Sequence, residues 1–138
     1  MRTQRRTEES GAALVEFALV VIPLLLLLIG MITYGLILGL QQSVVHTASA
    51  AARAAIVTPA DQIETRIDQV AGQQLSWLGS RGTHVSTTST VGPCAASGRE
   101  CVTVTVTYPY KDQPIIPGFL GLPVPDRITS TATLELEG

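Results

Sequence analysis

A chain of 138 residues has room for one modest domain. Only 14% of it is charged, where about 25% is usual, so some part must be strongly apolar. Nine Lys and Arg against eleven Asp and Glu give a net charge of −2, which offers no basic field to a nucleic acid.

The basic residues at the start are concentrated, with Arg2, Arg5 and Arg6 in the first six positions. Behind them, "SGAALVEFALVVIPLLLLLIGMITYGLILGLQQ" begins at Ser10. Residues 17–40 form a run of 24 without a charge, and Thr33 and Tyr34 are its only polar members. As a helix this run reaches roughly 36 Å, enough to cross a hydrocarbon core of about 30 Å. No Lys or Arg occurs between Arg6 and Arg53. The positive-inside rule therefore keeps the N-terminus cytoplasmic and exports the remainder. A cleavable secretory signal is the competing reading, because "TASAA" at 47–51 contains an Ala-x-Ala-like site. The apolar run is much longer than the about 7–15 residues of a secretory core, which favours a retained span.

One carboxylate, Glu16, stands inside this apolar context. It marks either the headgroup level or something more specific. A cut between Gly11 and Ala12 would create an ammonium on Ala12, with Glu16 four residues away on the same helical face. A charge in hydrocarbon is tolerable when paired, within the chain or with a neighbouring subunit.

Gly11 followed by Glu16 and Phe17, behind a short basic leader, resembles the processing site of type IV pilin-like precursors. More narrowly, "GAALVEFALVVIPLLLLLIGMITYG" resembles the start of TadE-like pseudopilins of tight-adherence (Tad, or Flp) pilus systems. "AARAA" at 51–55 is similar to the small-residue segment that follows the membrane helix there. The resemblance implies cleavage after Gly11 by a prepilin peptidase, and partners among other pilin-like subunits and the Tad assembly platform. It also implies a minor pilin-like role without catalysis or cofactor.

Further along the span, Pro23 removes a backbone donor and bends the helix, either for packing in an assembly or as a tolerated kink. Gly35 and Gly39 form a Gly-x-x-x-Gly step, with Gly30 upstream, and small residues of this kind admit a second helix. The Ala-rich residues 41–57 continue the helix outward, with Arg53 on a solvent face. "TPAD" then reads as a helix start, with Thr58 as N-cap and Pro59 in the first turn. Ile63, Ile67, Val70, Leu75 and Leu78 recur at helical spacing, and Trp77 is expected to anchor this helix to a sheet.

The texture then changes. "THVSTTST" alternates weakly, whereas "CVTVTVTYPY" and "RITSTATLELE" alternate strictly. Val102, Val104, Val106 and Tyr108 face inward on one strand, and Ile128, Ala132, Leu134 and Leu136 on the next. Cys94 and Cys101, with six residues between them on the exported side, are expected to form a disulfide between the first two strands. The apolar, proline-rich loop 113–126 carries Ile115, Phe119 and Leu122. These either plug the end of the sheet, the favoured reading, or meet another subunit.

His46 and His84 have no ligand-spaced neighbours, and no nucleophile motif or phosphate loop occurs, so neither metal nor catalytic site is expected. The predicted class is α+β: a transmembrane helix continuing into an exported helix, then a helix-covered antiparallel sheet of about three strands. The expected organisation is a leader over 1–11, a membrane helix over 12–40, a membrane-proximal helix over 41–57 and a small exported domain over 58–138. The expected location is the cytoplasmic (inner) membrane, with possible incorporation in a pilus. The expected function is a minor pilin-like component of a Tad/Flp-type assembly. The alternative is an uncleaved single-pass protein whose exported domain binds an envelope partner or ligand.

Overall fold

A computed structural model describes the main chain of residues 3–95, 98–116 and 121–136, with side chains from residue 11 onward within those ranges. The element order is helix α1 (Thr3–Ile56), a 3₁₀ turn (Ala60–Gln62), helix α2 (Ile63–Gln74), a 3₁₀ segment (Ser76–His84), then strands β1 (Ser86–Pro93), β2 (Glu100–Tyr108) and β3 (Ile128–Glu135). This is the α+β class that the sequence predicts. The chain divides into two compact units, Met1–Leu36 and Ile37–Gly138.

The second unit is built around the last five turns of α1. Leu40, Val44, Ala48, Ala51, Ala52 and Ala55 recur at three- and four-residue steps, share one face and are buried. Thr47 lies on that face too, and its hydroxyl donates to the Ser43 carbonyl at 2.7 Å, so no polar group is stranded there. The alanines keep this face small, while Leu40 and Val44 supply the apolar volume.

α2 contributes Ile63, Ile67 and Ala71 to the same core, and Leu75 and Leu78 follow. Three local expectations are corrected here. Thr58 does not cap α2. Its hydroxyl donates to the Ala54 carbonyl at 2.6 Å and its N–H to the Ala55 carbonyl at 3.2 Å. It thereby serves the orphan carbonyls that end α1, and α2 starts later, after Gln62, without a side-chain cap. The second helix also stops at Gln74 instead of running on to Leu78. Gly79 takes φ 59°, open to glycine, and a Cβ on Gly82 would sit 2.8 Å from the Leu75 carbonyl oxygen. In the tighter 3₁₀ turn Leu75 and Leu78 eclipse on the core side. Trp77 therefore points outward at 54% exposure and anchors nothing to the sheet.

The sheet is antiparallel, in the order β1-β2-β3. β2 is central, and its Val102, Val104, Val106 and Tyr108 are fully buried, as the strict alternation requires. Ile128, Ala132, Leu134 and Leu136 follow the same side of β3, with Ile128 buried and the others packed at the core's margin. The opposite face is a hydroxyl ladder. Thr103 pairs with Thr133 and Thr105 with Thr131, each at 3.0 Å, and Thr107 pairs with Thr129 at 3.2 Å.

Candidate functional site

The candidate site is the helix that begins the chain. Gly11, Ala12, Glu16 and Phe17 all lie on α1 and are exposed, Phe17 at 65%. Ala12 and Glu16, four residues apart on a regular helix, share a face one turn apart. Gly11–Ile56 is long and apolar enough to cross a membrane; its most apolar 18-residue stretch has mean hydropathy 2.8 and contains no buried residue. A soluble protein's core helix would hide such a stretch. Here Leu19, Ile22, Leu24, Leu27 and Met31 point outward on every side.

Pro23 is contained inside α1. A Cβ on Gly30, Gly35 or Gly39 would meet nothing within 4 Å, so no contact among the described residues requires these glycines. Gly35 and Gly39 share a face, whereas Gly30 lies about 140° around the helix from Gly35 at 3.6 residues per turn. Thr33 handles its own polarity by donating to the Ile29 carbonyl at 2.8 Å.

Cys94 and Cys101 are joined as a disulfide with 5.1 Å between their Cα atoms, at the β1–β2 turn. Of the loop residues, Ile115 packs against the core together with Val124, Leu122 is half-buried, and Phe119 lies outside the described residues. At the root of this loop the Tyr108 hydroxyl donates to the Gln113 carbonyl at 2.7 Å, and its ring lies 6.4 Å from that of Tyr110. Burial raises the Tyr108 phenol above its ordinary value; nearby Arg81 opposes this and Tyr110 adds to it. Among the described residues no three His, Cys, Asp or Glu side chains gather as a metal site.

Sequence reasoning missed the buried face from Leu40 to Ala55. Its signal was present in the three- and four-residue spacing of apolar and small residues, opposite Gln42, His46 and Arg53. That face also bears on the secretory-signal reading. The Ala-x-Ala-like site at 47–51 lies within the core, with Thr47, Ala48 and Ala51 inaccessible.

Residues 11–53 match the family model described as TadE-like protein. The TadE-like segment covers about a third of the chain and joins the exposed apolar stretch to most of the buried face. The strands lie outside it. No curated protein and no solved structure matches the chain.

Proposed function

We propose that this chain is a single-pass, minor pilin-like component of a Tad-type pilus system, processed after Gly11 by a prepilin peptidase. The observation that carries the reading is the coincidence of the TadE-like match with a helix whose most apolar stretch contains no buried residue. Cleavage leaves Ala12 as an ammonium, and Glu16 neutralises it within the chain or on a neighbouring subunit. The cluster of Arg2, Arg5 and Arg6 supports a cytoplasmic N-terminus and an exported second unit in the inner membrane. Gly35 and Gly39 offer a close approach to another pilin-like helix, Gly30 a second one, and Pro23 bends the helix upstream of both. The role is structural, exerted on other pilin-like subunits and the assembly platform.

The test is the mass of the intact protein made with and without a prepilin peptidase. Residues 1–11 are expected to be lost only in its presence. If Ala12 never becomes the N-terminus in a working assembly, the uncleaved single-pass reading replaces this one. In the processed protein, Glu16→Ala is expected to leave membrane insertion intact and to reduce co-purification with other pilin-like subunits. Unchanged recovery would remove the pairing role from Glu16.

A further inference from the structure

The sheet has two edges, and main-chain parity tells them apart. The Leu136 N–H donates to the Glu100 carbonyl at 2.8 Å, in continuation of the β2–β3 register. Both polar groups of a strand residue point the same way and alternate along the strand. The even-numbered residues of β3 therefore bond to β2, and Thr129, Thr131 and Thr133 aim their N–H and C=O groups away from the sheet. At the other edge the Cys94 N–H donates to the Arg99 carbonyl at 2.6 Å, so Thr87, Ser89, Val91 and Pro93 face outward from β1.

These edges are defended unequally. On β1, Pro93 has no N–H to offer and the Thr87 hydroxyl is bonded to the Asp68 carboxylate of α2. Prolines and covering elements are the usual guards against unwanted pairing. β3 has neither proline nor lysine, and its register with β2 runs without a bulge. Among the described residues no loop hydrogen bond reaches the main chain of Thr129, Thr131 or Thr133.

We propose that the β3 edge receives an extended segment of a different polypeptide as a fourth strand. Ala132, Leu134 and Leu136 are only partly buried beside fully buried valines of β2, so the incoming strand is apolar on that face. Its other face meets the threonine ladder and is small and polar. Arg127, immediately before β3, is exposed and forms no ion pair among the described residues, whereas Glu135 at the far end already meets Arg99 at 3.4 Å. The segment therefore carries an acid opposite Arg127. A second copy paired antiparallel through β3 does not fit. Pairing β3 with β3 antiparallel needs a two-fold axis normal to the sheet, which reverses the direction of the α1 residues packed along its inner face. Copies inserted in one membrane need those helices to run the same way. A copy placed side by side would present the guarded β1 edge instead. Only the identity of the partner as a fellow pilin-like subunit rests on the function proposed above.

The experiment places a photoreactive benzoylphenylalanine at Thr129 of the full chain in the producing cell's membranes and maps the adduct to peptides. The expected adduct joins one alternating segment, with an acid near its end, of another protein. Thr131→Pro removes a donor that no strand of this chain uses; it is expected to keep the fold and cut the adduct about tenfold. Arg127→Glu, which leaves the backbone alone, is expected to cut it roughly fivefold. An adduct to β3 of a second copy overturns the proposal, as does no adduct at all or an adduct that Arg127→Glu leaves undiminished. An adduct to a protein unrelated to pilins sustains the edge and counts against the subunit reading instead.

Discussion

From Leu14 to Leu36 the leucines of α1 are all exposed, and so are Ile22 and Ile32. From Ile37 onward the same helix hides one face in a protein core and gives the other to Gln42, His46 and Arg53. The residue types barely change across the boundary, yet the solvent each half is built for does. In the first half hydrophobicity is uniform around the helix, as lipid demands; in the second it is a stripe, as a protein core demands. Apolar content alone therefore does not say which role a stretch of helix plays. Its distribution around the axis does.

Leu38 and Leu40 set this contrast two residues apart, at 60% and 0% exposure. Leu40→Ala is expected to destabilise the second unit by about 2–5 kcal/mol, and Leu38→Ala to leave it almost unchanged. Denaturant unfolding of the full chain in micelles, followed through Trp77 fluorescence, reads both. Equal losses would erase the distinction between the buried and the exposed face of the helix from Ile37 onward. Within the second unit, the disulfide closes a short ring at the β1–β2 turn. Reduction is expected to cost about 2 kcal/mol, with α1 helicity by circular dichroism retained. A collapse of helicity would mean that the hairpin and the helix are one cooperative piece.

The smallest effect concerns the buried tyrosine. Tyr108→Phe removes one hydrogen bond, worth about 1 kcal/mol. The folded phenol titrates above its unfolded value of about 10, so the unfolded chain loses the proton first as pH rises. The stabilisation is complete below about pH 10 and is lost as the pH climbs from there through the folded value. The wild type is expected to lose stability across that alkaline window, and Tyr108→Phe to lose less. Parallel pH curves for the two would assign the alkaline loss elsewhere.

Much of this was legible in the sequence where a period of two or a local motif carried it. Val102, Val104, Val106 and Tyr108 announce a buried strand because every second residue is apolar and every other one is threonine. The pairing proposed for Ala12 and Glu16 needed no fold to be suggested, since the two lie about one helical turn apart. The buried face of α1 was harder, because a run already apolar on all sides masks where a stripe begins. Thr58 was ambiguous for a physical reason: its hydroxyl can serve the helix ahead or the helix behind, and the Ala54 carbonyl won. Trp77 could not be placed without knowing that Gly79 and Gly82 permit a tighter turn, which moves every side chain after Gln74 around the axis.

The continuation of α1 into the core has a practical corollary for anyone seeking a water-soluble fragment. Trimming at the polar Gln41–Gln42 step looks natural, yet it would delete Ile37 and Leu40 and open a slot along the valines of β2. A fragment that retains its shape must keep those residues, and so inherits greasy side chains such as Leu38 that invite clumping. Removing the outward-facing ones by substitution, instead of shortening the chain, is the route this architecture recommends.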